Sequence, residues 1–328
     1  TGFSDDRFIY VTIENSTSGG QNVVLNVESA SNLLGFGDPE NTALGGNAAD
    51  AELGDMDGDG DADLVISLPA VNQVVILLNG GNDAVTGEWL GFSDGSIAEN
   101  VDSTPLGLDI GDVEGDDELD IAVACKDSDS VVVLENTGSN FSAVSYSVDD
   151  HISGNQYNAL PVDVAIGNFE GDNGDNDLAV VNSGDSTFII LSSGTSRALP
   201  LNNDGATPLN APGSTIDPGD VNNDKDLDTI VISSRPSGKV AVAKGQTALI
   251  GTTDIEYYDV GLSPEELVVG DLNGDGLADI ATADNGTGTI SVLIQGADGS
   301  YLPATSFLVG PLGGQGGLEP LHLPLSIS

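Results

Sequence analysis

A chain of 328 residues with 53 acids against seven Lys plus Arg has a formal charge of −46, which argues against nucleic acid or an anionic membrane surface as a partner. No apolar run reaches the roughly 18 residues of a membrane span, and no basic stretch leads into an apolar one at the start, so neither membrane insertion nor a retained export signal is expected. A single cysteine, Cys125, precludes an internal disulfide, and two histidines, His151 and His322, without any Ser-His-Asp spacing leave little for zinc or nucleophilic chemistry.

In chain order, the first apolar segments begin at Phe8, Asn22 and Leu34 and read as three short strands. LGFGD at Leu34 is answered by LGFSD at Leu90, 56 residues on, so this opening stretch reproduces strands two to four of a unit that then recurs. The full units span about 44–96, 104–148, 160–202, 212–260 and 263–310. Each carries one acidic loop: GDMDGDGDAD from Gly54, GDVEGDDELD from Gly111, GNFEGDNGDND from Gly167, GDVNNDKDLD from Gly219 and GDLNGDGLAD from Gly270. After every loop comes an almost unbroken apolar run, such as LVISL, then a turn, then a second run such as VVILL. Runs of that kind suit strands covered on both faces.

Counted from the first polar residue of each loop, the steps are 57, 56, 52 and 51 residues. Four short strands in roughly 50 residues is the unit of a β-propeller blade, and a unit that cannot bury its own faces must stack on its copies. The expected fold is therefore all-β, one domain over 1–328, a six-bladed propeller. The opening stretch 7–38 lacks an innermost strand, which the tail 317–328 would supply, so the two ends of the chain would pair to close the ring. Seven blades would need a unit that the sequence does not contain.

The loops place oxygen-bearing side chains at positions 1, 3, 5 and 9 of a tight turn. Alternate residues of such a turn point inward together, so short carboxylates or amides, with the carbonyl of position 7, can cage a hard cation. An ordinary Asp/Gly turn is the alternative. Against it stands the crowding of three or four carboxylates within nine residues, which only a cation offsets. In all, 17 of the 53 acids fall at these positions. An EF-hand is excluded, because position 12 is Ile66, Val123, Val231 or Thr282 in place of Glu, and strands flank the loop.

With their flanking strands, these loops resemble the FG-GAP or VCBS repeat family, the calcium-bearing propeller blades of integrin α-subunit heads and of many secreted bacterial proteins. The resemblance implies up to five Ca2+ ions. The first site would be Asp55, Asp57, Asp59 and Asp63 with the carbonyl of Asp61, and the second Asp112, Glu114, Asp116 and Asp120 with that of Glu118. The third would use Asn168, Glu170, Asp172 and, after an extra residue, Asp177. Asp220, Asn222, Asp224 and Asp228 with the carbonyl of Asp226 would make the fourth, and Asp271, Asn273, Asp275 and Asp279 with that of Leu277 the fifth. In the closing blade Arg7 stands where the last Asp of the other loops falls, so no ion is expected there.

In such propellers partners meet the face opposite the calcium loops, which here would bring forward His151, Gln156, Tyr157, Asn158 and Arg235. The resulting expectation is an extracellular, secreted or cell-surface recognition or adhesion module, stiffened by calcium, for a glycan or protein ligand, and not an enzyme. A calcium-dependent carbohydrate-active enzyme (polysaccharide lyase or hydrolase) and a structural subunit of an extracellular assembly are the alternatives. Other domains or subunits of a surface assembly are further expected partners. Cys125, ending an apolar strand, is expected to be a small core residue.

Overall fold

A computed structural model describes residues 9–15, 23–29, 44–92, 97–138, 140–148, 159–169, 176–184, 187–192, 195–200, 213–221, 229–234, 238–244 and 255–309. Within them the chain is almost wholly β. Two strands, β1 (Ile9–Asn15) and β2 (Val23–Ser29), pair antiparallel with Ile9 opposite Ser29. Five four-stranded antiparallel sheets follow, each paired in simple sequence order. The first holds β3 (Asp50–Gly54), β4 (Asp63–Leu68), β5 (Gln73–Leu77) and β6 (Ile97–Asn100). In the second are β7 (Pro105–Gly111), β8 (Asp120–Cys125), β9 (Ser130–Asn136) and β10 (Phe141–Ser147). The third has β11 (Pro161–Gly167), β12 (Asp177–Asn182), β13 (Thr187–Ser192) and β14 (Thr195–Pro200). β15 (Gly213–Gly219), β16 (Thr229–Ser234), β17 (Lys239–Lys244) and β18 (Ile255–Asp259) form the fourth. The fifth is β19 (Pro264–Gly270), β20 (Asp279–Asp284), β21 (Thr289–Leu293) and β22 (Thr305–Leu308).

The sheets are stacked face to face, and the strand alternation explains how. Ile121, Val123 and Cys125 of β8 pack with Met56, Val65, Val74 and Ile76 of the first sheet. Ala122 points the other way, to Val164, Ile166, Leu178 and Val180 of the third. Ala165, Ala179 and Val181 meet Ile216, Ala241 and Ala243, and Val240 and Val242 meet Leu267, Ile280 and Leu293, so every neighbouring pair of sheets shares a core. All six residues of β4, β8, β12 and β20 are buried, as strands covered on both faces must be. Cys125 is fully buried, and burial, with the charge of Asp102 added, pushes its thiol up to about 12, which leaves it unreactive at neutral pH.

The first strand of each sheet lies beside that of the next, and each of the five runs at its C-terminal end into an acidic loop, at Gly54, Gly111, Gly167, Gly219 and Gly270. In sheets two to five this strand carries a register shift near its start. Three of the four follow a residue in the left-handed region directly before proline: Thr104, Leu160 and Ser263, at φ of 60°, 51° and 49°. One boundary differs from the sequence reading. The Leu90 segment that echoes Leu34 is no outer strand; Asn79 bridges Phe92 and Asn82 bridges Trp89 in a hairpin inserted after β5. The outer strand is 97–100, whose Asn100 pairs with Gln73, because Trp89 and Phe92 fold back edge to face onto the sheet's own core. Of the closing blade expected from 7–38 and 317–328, residues 7–8, with Arg7, 16–22, 30–38 and 317–328 lie outside the described residues.

Candidate metal centres

Three acidic loops, 54–63, 111–120 and 270–279, are described in full and fold alike. The carboxylate at position 1 sits inside the turn and gathers backbone N–H groups. Asp55 accepts from Gly58, Asp59 and Gly60 at 2.9, 3.1 and 2.9 Å. Asp112 accepts from Gly115, Asp116 and Asp117 at 2.7, 3.0 and 2.9 Å, and Asp271 from Gly274, Asp275 and Gly276 at 2.7, 3.1 and 2.8 Å. Position 5 then accepts the N–H of position 7: Asp59 from Asp61, Asp116 from Glu118, Asp275 from Leu277. Such a turn needs positive φ at position 6. Gly60 and Gly276 take it at 92° and 83°, and Asp117 is held there at 70°.

The aspartate at position 9 opens the second strand of the sheet and is buried in all four described cases, Asp63, Asp120, Asp177 and Asp279. One of its oxygens accepts the N–H of loop position 2: Met56, Val113, Phe169 and Leu272, at 2.8 to 3.1 Å. Its other oxygen accepts the N–H of the residue 16 further on: Asn79, Asn136 and Gln295, at 2.7, 2.8 and 2.9 Å. The third loop keeps the first of these bonds despite its extra residue. A buried carboxylate with both oxygens bonded to main chain is a structural pin as well as a ligand candidate.

Sequence reasoning missed the partners of that pin. The amide of Asn136 donates to Leu119 O in its own loop and to Met56 O in the loop of the preceding sheet, at 3.2 and 2.9 Å. Gln295 likewise reaches back to Val221 O at 2.7 Å, and Asn79 holds Ala62 O at 3.0 Å. The signal was present as an Asn or Gln 16 residues after the closing Asp in copies one, two and five.

Do these residues fit a cation? Asp55, Asp57 and Asp63 bring one carboxylate oxygen each to within 4.8 Å of one another. Each N–H bond occupies one lone pair and leaves others free to face inward, and an all-oxygen donor set suits Ca2+. Burial raises the Asp63 carboxyl above its ordinary value, with the charges of Asp57 and Asp59 adding to it. Glu114 is pushed up to about 7, by burial first and then by the charge and hydrogen bond of Asp120 and the charges of Glu135 and Asp116. Asp271 goes the other way, lowered chiefly by the Gly276 N–H. A cation would relieve the repulsion at the first two loops.

Of the remaining expected ligands, Asn168, Asp177 and Asp220 are described, while Glu170, Asp172, Asn222, Asp224, Asp226 and Asp228 lie outside the described residues. So do His151, Gln156, Tyr157, Asn158 and Arg235.

The fifth sheet and its loop match the FG-GAP repeat over residues 263–293. That span covers β19 to β21 with the acidic loop between the first two. Solved structures agree at the level of the fold. The core factor of S. cerevisiae is 11% identical, with TM-score 0.56, over 92% of this chain and 48% of that one. BBS1N, in a complex with ARL6DN, is 9% identical with TM-score 0.53, over 90% of this chain and 79% of that one. The WD40 domain of Toxoplasma gondii coronin is 14% identical with TM-score 0.52, over 92% and 75%. The architecture is propeller-like, and it carries at least one FG-GAP repeat. No curated protein sequence matches this chain. No helix among the described residues is long and apolar enough to cross a membrane.

Proposed function

We propose that this chain is an extracellular recognition module, a six-bladed propeller whose acidic loops bind Ca2+ and thereby hold a rigid disc for a protein or glycan ligand. The observation that carries the calcium reading is the shared hydrogen-bond scheme of the three described loops, with Asp55, Asp57 and Asp63 converging at the first. Five separate turns rich in carboxylate would be a costly way to join strands unless a cation repaid the repulsion. FG-GAP repeats and the propeller scaffold support a role in binding partners; BBS1N, of similar fold, is seen in a complex. External calcium is abundant enough to fill loops of modest affinity, with dissociation constants of about 10⁻⁴ to 10⁻³ M for extracellular modules, which favours a site outside the cell.

Closure as a sixth blade is supported at the far end of the stack, where Leu302, Phe307 and Leu308 are more than half exposed. A blade built from β1, β2 and the C-terminal segment would cover them. Calcium dependence is tested by melting the full chain with millimolar Ca2+ and with EDTA; a transition that does not move rejects the calcium reading. A glycan array and a pull-down of extracellular proteins, each with and without EDTA, test recognition, and binding that ignores the chelator would separate the partner from the metal.

A further inference from the structure

A second set of acids stands on the first strand of each sheet, three to five residues before the first acid or amide of the loop. These strands are sheet edges, and the N–H groups on their free side have no strand to pair with. In each case a carboxylate from the preceding sheet takes one of them. Asp50 accepts the N–H of Leu108 at 2.9 Å, Asp109 that of Ile166 at 2.6 Å, Asp163 that of Ile216 at 3.0 Å, and Asp217 that of Val269 at 2.8 Å. All four junctions between the five sheets are bridged this way. The other oxygen of Asp50, Asp109 and Asp163 accepts the N–H of the next residue in its own strand, which fixes the carboxyl's direction. Thr215 adds a hydroxyl to Asp163 at 2.8 Å. The space is kept for this purpose: a Cβ on Gly107 would lie 2.0 Å from an oxygen of Asp163.

Neighbouring first strands bring these carboxyls near one another: Glu52 on β3 feels the charges of Asp50, Asp109 and Asp217, and Asp163 feels those of Asp50 and of Glu266, which is exposed on β19. Of the cations with described side chains, Lys126 follows β8 and Lys239 pairs with Asp259.

We propose that Asp50, Asp109, Asp163 and Asp217, with Glu52 and Glu266 acting on them through space, form a proton-sensitive latch that binds each sheet to the next while the carboxyls are partly protonated and strains the stack when all are ionised. A protonated carboxyl still accepts an N–H through its carbonyl oxygen. Full ionisation keeps the N–H bonds but crowds like charges on neighbouring strands where all of these acids except the exposed Glu266 are half-buried. The balance falls on the side of repulsion. Burial first, and then the neighbouring charges, push Glu52 up to about 8, while Asp109 and Asp217 rise to about 6 with burial the largest cause. Asp50 and Asp163 are raised for the same leading reason. Unfolded carboxyls titrate near 4. The folded chain therefore holds more protons between pH ~4 and ~8, and its stability falls as pH rises through that window.

The latch is tested with the full chain in saturating calcium, so that the loop ligands stay bound. The expected result is a melting temperature that falls by several degrees between about pH 5.5 and 8.5, and a profile that is flattened in Glu52→Gln/Asp109→Asn/Asp217→Asn. Equal slopes in the two proteins would overturn it, since histidines and loop groups are common to both. If the triple variant does not fold, carboxyl ¹³C titration of the wild-type chain decides. A Glu signal with a midpoint above about 6.5 that is lost in Glu52→Gln supports the latch, and its persistence, or midpoints all below about 5, overturns it.

Discussion

Asp271 of the fifth loop and Asp163 of an inner strand are the same residue type, yet their environments push them in opposite directions. Asp271, at the mouth of its loop, is wrapped by N–H groups and lowered, the bond from Gly276 doing most. Asp163, on the first strand of the third sheet, also accepts main-chain N–H groups but is raised well above the ordinary range, because burial and the charges of Asp50 and Glu266 outweigh them. Hydrogen bonds alone do not decide the ionisation of a carboxylate; what remains of its solvation does. Asp271 is held toward its charged form, whereas Asp63 and Glu114 of the first and second loops are raised by burial and by neighbouring acids, as the inner carboxyls are.

The largest effect that would sharpen this contrast is metal removal. At calcium one hundred times the dissociation constant, each ion contributes about 2.7 kcal/mol, so several loops together should lower the melting temperature strongly in EDTA. Calorimetry across the two conditions checks it. Next in size is a comparison within one loop. Asp120→Ala removes a buried carboxylate from the N–H groups of Val113 and Asn136 and should cost about 2 to 5 kcal/mol with or without calcium. Asp116→Ala, at an exposed position, should cost under about 1 kcal/mol in EDTA and lose that loop's calcium gain. Denaturant melts of both variants in both buffers separate pin from ligand, and equal behaviour would break the distinction. Smaller again is Asn136→Ala, which cuts the strap to Met56 O and Leu119 O and should cost about 1 to 3 kcal/mol by urea unfolding. The smallest is Asp117→Gly, which relieves a φ of 70° and should stabilise by about 0.5 to 1 kcal/mol.

Much of this was legible from the sequence for a physical reason. LVISL and IAVAC are apolar at all but one of their positions, Ser67, because both faces of their strands are covered, and the regular return of the acidic loops marks stacking units. The turn of the acidic loops could be read because a turn of that shape admits few residue types at each place. Other features were not legible. The Leu90 echo of Leu34 misled because local similarity says nothing of pairing, and the real outer strand, Ile97–Asn100, is short and half polar. Asp50, Asp109, Asp163 and Asp217 read as the polar half of an alternating strand, since nothing in their own sheet shows that the next sheet supplies a donor. The link from Asn136 to Met56 spans 80 residues, and a spacing of 16 after an aspartate has no meaning until the strands are paired.

Isothermal titration of the calcium-stripped full chain with Ca2+ bears hardest on the account as a whole. Saturable heat for more than one ion per chain, abolished at the first loop by Asp55→Asn/Asp57→Asn and accompanied by a rise in melting temperature, is the expected result. No heat and an unmoved melt at millimolar calcium would contradict it.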